Sequence, residues 1–129
     1  MHWLTKTMVV AIHGELLVEH GGLDGAYKND ALESTLARPQ QLLNYTNPEP
    51  SLFDLAANYA FGFSRNHCFS DGNKRIALAS IDVFLQLNGY ELIASEVDTV
   101  DIIMRLAAGK VEEPELSQWI EQNAQALEE

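Results

Sequence analysis

Residues Asn66 to Leu87 read N-H-C-F-S-D-G-N-K-R-I-A-L-A-S-I-D-V-F-L-Q-L, and this stretch decides the fold. From Lys74 onward it is apolar on nearly all sides, which is typical of a helix buried at the centre of a domain. The ten residues that begin the stretch are mostly polar and contain a glycine. We therefore predict a central helix with a polar loop at its N-terminus.

Helical patterns also precede this loop. Apolar residues recur at spacings of three and four after Ser51, which forms a capping box with Asp54 at the start of the run. This pattern stops near Asn66. Further upstream, a first helix runs from Thr5 toward His20 and ends at the two glycines that follow.

The segment between these two helices contains a loop and a further helix. Residues 21–29 hold three glycines and are predicted to form the loop. The helix starts at Asn29 or Asp30. Pro39 predicts a kink or a break near Arg38, because proline lacks a backbone N–H and disfavours helix at the residue before it.

The sequence after the central helix predicts two more helices. Residues 90–93 are extended but too few to predict a sheet. Ser95 caps a helix that Gly109 closes, and Pro114 opens a last helix that reaches Leu127. The fold predicted is all-α: a single compact domain over residues 1–129, with about six helices around a buried central helix.

Composition excludes several classes of partner. The chain has 129 residues and a formal net charge of −11, whereas nucleic acid and anionic membranes attract clustered Lys and Arg, so we expect neither as a partner. Cys68 is the single cysteine and cannot form an internal disulfide. Because no charged-then-apolar leader follows Met1 and no apolar run reaches about 18 residues, we expect a cytoplasmic protein.

The charge is unevenly distributed along the chain. The last 34 residues carry nine acidic and two basic side chains, whereas Lys74 and Arg75 form the only adjacent cationic pair. Both lie in the first turn of the central helix, where positive charge opposes the helix dipole. This local conflict predicts an anion, such as a phosphate, at the helix start.

The loop supplies further groups for such a site. Gly72 can adopt a positive φ and let a ligand approach the backbone closely. His67 is a candidate general base, and Asp71 is a hard oxygen ligand suited to Mg²⁺ that also binds waters and phosphate oxygens. Together with the two cations, these residue types are those of phosphoryl or nucleotidyl transfer.

Residues 67–75, H-C-F-S-D-G-N-K-R, resemble the Fic/Doc motif, whose form is H-x-F-x-(D/E)-(G/A)-N-(K/G)-R. With lysine before the final arginine, the motif resembles that of the death-on-curing (Doc) branch, because the adenylylating branch usually has glycine at this position. The resemblance extends over nearly the whole chain, including residues 21–23, 32–34, 37–40 and 77–90.

The resemblance implies a role for each motif residue. His67 would deprotonate a hydroxyl of a target protein, and Asp71 would hold Mg²⁺ that bridges the phosphates of ATP. Phe69 would anchor the loop in the core. The phosphates would be bound by Gly72, Asn73, Lys74 and Arg75, with Arg65 as a further residue near them.

The resemblance also implies an activity and partners. The activity is that of a Doc-type toxin, which transfers the γ-phosphate of ATP to a hydroxyl of a translation elongation factor. A small antitoxin, similar to Phd, would place a helical segment in a groove beside the site. Two alternatives stay open: transfer of AMP or another nucleotide moiety to a protein hydroxyl, and a non-catalytic module that binds an antitoxin.

Several other residues receive simpler interpretations. Cys68 is interpreted as a buried structural residue rather than a nucleophile, and zinc is not expected because His67 and Asp71 have no further ligands at recognisable spacing. His13 and His20 are interpreted as surface or helix-end residues. Residues 117–122 nearly match a self-inhibitory Fic motif, but Ser117 and Glu121 are interpreted as ordinary helix-surface residues.

Overall fold

The computed structural model describes residues 1–22 and 25–128, so the part of the predicted loop at Leu23 and Asp24 lies outside the described residues. Six helices and two short strands form within this part of the chain. In order, they are α1 (Lys6–His20), α2 (Asn29–Tyr45), α3 (Leu52–Asn66), α4 (Asn73–Leu87), β1 (Tyr90–Leu92), α5 (Glu96–Ala107), α6 (Glu113–Gln122) and β2 (Ala124–Ala126). The prediction of a mostly helical fold with six helices around a buried centre is confirmed.

The centre of the molecule is the packing of α4 against α3. Helix α3 also contacts α2, α5 and α6, while α4 contacts α1, α5 and β1. The rings of Tyr59 on α3 and Phe84 on α4 lie 5.0 Å apart and are fully buried. Burial of one such side chain stabilises the fold by about 1.5–3 kcal/mol, so this contact helps to hold α4 against α3.

Side-chain caps define the starts of three helices, and those at Ser51 and Ser95 were predicted. Met8 N–H donates to Thr5 Oγ1 at 3.2 Å at the start of α1, and Asp98 N–H donates to Ser95 Oγ at 3.1 Å at the start of α5. At α3 the capping box is complete, since Ser51 and Asp54 each accept from the backbone N–H of the other.

Of the kink or break predicted near Arg38, the break is wrong, because α2 runs through Pro39 to Tyr45 as one helix, while the kink stays a prediction. Pro39 is buried, as are Leu32, Thr35 and Leu36 on the same helix. Burial of the proline ring compensates for the one backbone hydrogen bond that proline cannot donate.

The prediction that the last helix reaches Leu127 is also wrong. Helix α6 ends at Gln122, where the side-chain amide of Asn123 donates to Trp119 O at 2.8 Å. Strand β2 then pairs antiparallel with β1, with Leu92 opposite Ala124. Residues 90–92 are thus part of a two-stranded sheet, which their length alone did not predict.

Both ends of the described chain meet at the turn after α4. Asn88 exchanges two hydrogen bonds of 2.9 Å with the backbone of His2, and Leu127 N–H donates to Gly89 O at 2.9 Å. We call this arrangement of His2, Asn88, Gly89 and Leu127 the terminal clasp. It lies at the C-terminal end of α4, opposite the end that carries the motif loop.

None of the helices within residues 1–22 and 25–128 has the length and hydropathy needed to cross a membrane.

Candidate functional site

The candidate site is the loop between α3 and α4, and two residues with positive φ define it. His67 follows α3 with φ 47° and ψ 52°, and Gly72 precedes α4 with φ 80° and ψ 18°. The positive φ predicted for Gly72 is therefore confirmed. Between these positions, Cys68 and Phe69 turn into the core, while His67 and Ser70 stay exposed.

Asn73 holds the loop closed. Its Oδ1 accepts from Phe69 N–H at 3.1 Å and its Nδ2 donates to Phe69 O at 2.8 Å. Phe69 is buried, as predicted, so this pair of bonds ties the start of α4 to the core. The side chain predicted to contact phosphate thus braces the loop in this structure, with one amide hydrogen left for a ligand.

A short extended segment supports the loop from outside. Lys28 N–H donates to Cys68 O at 2.8 Å, and Ser70 N–H donates to Ala26 O at 3.1 Å, so Tyr27 and Phe69 form a β-bridge. The Tyr27 ring also meets the Phe69 ring edge-on, with centroids 6.0 Å apart. Backbone hydrogen bonds to residues 26 and 28 therefore hold the motif loop on either side of Phe69.

His13 is the main residue that sequence reasoning misplaced. It is not a surface or helix-end residue, since only 2% of it is exposed and its ring stacks on Phe69 with centroids 3.7 Å apart. Its Nε2 lies 2.7 Å from Asp71 O. A signal was present in the sequence, because His13 follows the buried Val9 by four residues and so shares the inward face of α1. His20, in contrast, is exposed at the helix end as predicted.

The loop opens into a cleft of about 730 Å³ that is lined by two chemically different sets of residues. The polar set comprises the motif side chains His67, Asp71, Asn73, Lys74 and Arg75 together with Arg65. The apolar set, which we call the apolar wall, comprises Leu78, Val100, Ile103, Met104 and Ala107. Val100 and Met104 on α5 are about half exposed, so this apolar surface is accessible from the cleft.

The cationic side chains that line the cleft are available to an anion. Lys74 and Arg75 are exposed in the first turn of α4, and neither forms an ion pair within residues 1–22 and 25–128. The free backbone N–H groups of the same turn add partial positive charge. Backbone and side chains together therefore create a positive region at the helix start, where an anion such as phosphate can bind.

Asp71 is the residue in this cleft suited to a metal ion. Its Oδ1 accepts from Gly72 N–H at 2.8 Å, and a Cβ on Gly22 would lie 2.7 Å from its Oδ2. The described residues contain no cluster of three or more potential metal ligands. One carboxylate fits Mg²⁺ that takes its other ligands from substrate phosphates and water, which is the usual arrangement in phosphoryl-transfer sites.

Two other residues have structural roles. Cys68 is buried, and burial raises the pKa of its thiol despite a 3.4 Å contact with Thr35 Oγ1, so the interpretation as a structural cysteine is confirmed. Ser117 is not a surface residue, because it is buried and donates to Asp54 Oδ1 at 2.5 Å. Glu121 is exposed and forms no ion pair with Arg75.

Comparison with known proteins agrees with the motif. The sequence model of the Fic/DOC family matches residues 3–85, which include the loop and most of α4. The protein named "Protein kinase doc" from Escherichia phage P1 is 30% identical over 111 residues, which cover 86% of each chain. "Toxin Doc" from Mycolicibacterium smegmatis is 37% identical over 100 residues, which cover 77% of this chain and 71% of the relative.

Proposed function

The chain belongs to the Fic/DOC family, and on that basis we propose that it is a Doc-type toxin with protein kinase activity. It would transfer the γ-phosphate of ATP to a hydroxyl group of a target protein. Support comes from two relatives, one named as a toxin and one as a protein kinase, that align over most of this chain.

The observation that carries the proposal is a cleft lined by both cationic and apolar side chains. Lys74 and Arg75 fit the triphosphate of ATP, and the apolar wall fits the nucleoside. Positive charge at a helix N-terminus stabilises the negative charge that spreads over the transferred phosphoryl oxygens. Lys74 further supports kinase over adenylyl transfer, because the adenylylating branch that the motif resembles usually has glycine there.

His67 is the proposed general base. Its side chain is exposed and lines the cleft, so a hydroxyl of a target protein can reach it. In the reaction the hydroxyl oxygen attacks the γ-phosphorus, the bond to the β–γ bridging oxygen breaks, and ADP leaves. The hydroxyl proton passes to the neutral imidazole of His67, which contributes about 10²–10⁴-fold to the rate.

Asp71 is the proposed ligand of Mg²⁺, which neutralises phosphate charge when bound. The hydrogen bond from Gly72 N–H holds one carboxylate oxygen against the start of α4. The same carboxylate faces the cleft in which Lys74 and Arg75 lie, so a metal ion and the two cations would contact one triphosphate.

An exposed apolar stripe on α5 supports the proposal of an antitoxin partner. Val97, Val100 and Met104 are 78%, 50% and 51% exposed, and they follow one another along one helix face. The last two also line the cleft. A helical segment of a small antitoxin, similar to Phd, would cover this stripe and block access to His67.

The target is proposed from family resemblance alone. A Doc-type kinase would modify a translation elongation factor in the cytoplasm and so arrest translation. Neither nucleic acid nor a membrane enters this proposal as a partner.

The experiment incubates the protein and Mg²⁺ with a purified elongation factor and ATP labelled at either the α- or the γ-phosphate. Transfer of the γ label that His67→Ala abolishes is the expected result. His20→Ala is the matched control, because His20 is an exposed histidine outside the cleft.

Two outcomes would overturn the kinase proposal. Transfer of the α label supports the alternative of AMP or other nucleotidyl transfer by the same cleft. No transfer of either label, with wild type and His67→Ala equally harmless in growing cells, supports a non-catalytic module that binds an antitoxin.

A further inference from the structure

We propose that His13 is a positioning residue for the reaction, which holds the Asp71–Gly72 peptide so that the Asp71 carboxylate keeps its place in the cleft. This inference rests on the proposed function, because it assigns a role relative to the metal and nucleotide. His13 lies on α1 and is 58 residues away from Asp71 in sequence.

The hydrogen bond between the two residues has a defined direction. Asp71 O is a backbone carbonyl, which can only accept, so His13 Nε2 carries the proton and donates it across 2.7 Å. This fixes the tautomer of His13 with a hydrogen on Nε2. The His13 ring therefore donates a hydrogen bond to the backbone carbonyl of Asp71.

The surroundings of His13 leave the ring no freedom to turn. One face stacks on Phe69 with an interplanar angle of 11°. A Cβ on Gly72 would lie 3.3 Å from Nε2, so the Gly72 backbone passes directly beside the ring. A ring that is buried, stacked and flanked by backbone holds its hydrogen bond in one direction.

The peptide plane transmits this constraint to the carboxylate. In a trans peptide the C=O of Asp71 and the N–H of Gly72 point in opposite directions within one plane. His13 fixes the C=O end, and the N–H at the other end donates to Asp71 Oδ1 at 2.8 Å. His13 thus orients, through one rigid peptide, the side chain proposed to hold Mg²⁺.

Burial of a histidine in this place is itself informative. A buried polar ring destabilises a core unless its polar atoms are hydrogen-bonded, and a leucine or phenylalanine would fill the space next to Phe69 without that requirement. His13 Nε2 makes its polar contact with the backbone oxygen of Asp71, a residue that lines the cleft. This pattern matches groups that orient metal ligands through a second hydrogen bond.

Two variants separate the hydrogen bond from the packing. His13→Phe keeps a ring on Phe69 but removes the donor, whereas His13→Gln loses the ring and keeps an amide donor near the position of Nε2. Thr5→Ala is the matched control, because it weakens the N-terminus of α1 without contacting the loop.

The measurements are kcat and KM for ATP in γ-phosphate transfer, Mn²⁺ affinity in the presence of a non-hydrolysable ATP analogue, and melting temperature. For His13→Phe we expect kcat to fall about 10–100-fold and Mn²⁺ affinity to fall about tenfold or more. His13→Gln should keep most of the wild-type kcat and Mn²⁺ affinity, and Thr5→Ala should change only the melting temperature.

Other results would overturn the inference. His13 is only a packing residue if His13→Phe keeps kcat and Mn²⁺ affinity within about twofold of wild type. The same conclusion follows if the losses of kcat and Mn²⁺ affinity in all variants correlate with the fall in melting temperature and not with the absence of a hydrogen-bond donor at residue 13. If wild type binds Mn²⁺ and nucleotide but transfers no phosphate, the proposed function fails, and the Mn²⁺ affinities of the two variants still decide the role of His13. A wild-type protein that binds neither overturns both proposals.

Discussion

His67 adopts a backbone conformation that is unfavourable for its residue type. With φ 47° and ψ 52°, it lies in the left-handed region, which costs a residue with a Cβ about 1–2 kcal/mol. The conformation ends α3 and points the imidazole toward the cleft instead of continuing the helix. The fold therefore loses stability at this residue to place the proposed base.

Replacement of His67 should separate stability from activity. Asn tolerates the left-handed region better than Ala, so we expect His67→Asn to be more stable than His67→Ala by about 0.5–1 kcal/mol, with both inactive in phosphate transfer. Urea unfolding of the two variants measures the difference. Equal stabilities would show that residue 67 carries no backbone strain.

Gly22 controls the position of the Asp71 carboxylate. A methyl group at residue 22 would lie 2.7 Å from Asp71 Oδ2, so we expect Gly22→Ala to displace the carboxylate and reduce kcat and Mn²⁺ affinity by about tenfold or more. Gly21→Ala is the matched control, because Gly21 also has a positive φ but has open space where a Cβ would be. Similar effects of both substitutions on Mn²⁺ affinity would contradict this role for Gly22.

At the level of residues, the sequence predicted the side chains that a ligand would contact, but not the residues that position those side chains. The chemistry of His67, Asp71, Lys74 and Arg75 follows from residue type and position at a helix start. The roles of His13 and Gly22 depend on how α1 packs against the loop, a contact between segments about 50–60 residues apart. No local pattern encodes that contact, although the inward face of α1 includes His13.

Among the elements, α3 is fixed at its N-terminus by a carboxylate that serves two helices. Asp54 accepts from Ser51 N–H at 2.8 Å within the capping box and from Ser117 Oγ at 2.5 Å on α6. Burial alone would raise the pKa of Asp54, but the hydrogen bonds from Ser117 and Ser51 outweigh it and lower the pKa below its ordinary value of 3.8.

This pKa shift predicts a component of acid sensitivity. Because the folded-state pKa of Asp54 is lowered, its contribution is fully present above about pH 3.8 and is lost as the pH falls through the folded-state value. We expect Asp54→Asn to be less stable than wild type at neutral pH by about 1–2 kcal/mol and to lose less stability in acid. Urea unfolding at about pH 7 and pH 3 measures both effects.

Ser117→Ala should reproduce part of that loss, about 1 kcal/mol at neutral pH, and weaken the acid dependence. Ser95→Ala is the control, since Ser95 caps α5 without a bond to Asp54. If the two serine variants change acid dependence equally, the Ser117–Asp54 bond is not its source.

Local signals located the starts of elements better than their ends. Thr5, Ser51 and Ser95 cap helices by bonds within three residues, which sequence spacing records. The end of α6 depends instead on strand pairing between residues 90–92 and 124–126, and the continuity of α2 depends on burial of Pro39. Long-range packing decided both, so the sequence patterns gave the wrong result there.

For the whole molecule, the net charge of −11 is poorly compensated. Within the described residues, Asp101 and Arg105 form an exposed ion pair, whereas the exposed Glu19–His20 contact is an ion pair only when His20 is protonated. Most of the acidic side chains therefore repel one another across the surface, which destabilises the compact state.

Added salt should act on fold and cleft in opposite directions. Raising NaCl from about 20 to 500 mM shortens the Debye length from about 20 Å to about 4 Å, so we expect a higher melting temperature through screened repulsion. The same screening weakens attraction of ATP to Lys74 and Arg75, so its dissociation constant should rise. Calorimetry at both salt concentrations measures the melting temperature and the dissociation constant of ATP. A melting temperature that falls with added salt would contradict the first expectation.

The terminal clasp has a practical consequence for the geometry of the molecule. Residues 2 and 127 are bonded to the same turn, and the 15 residues of α4 separate that turn from the motif loop by about 22 Å. A fluorophore, a fusion partner or an immobilising tag attached near either residue would therefore lie at the C-terminal end of α4, away from the motif loop. Linking the two positions covalently and opening the chain at an exposed loop elsewhere would give a circular permutant whose motif loop and central helices stay continuous.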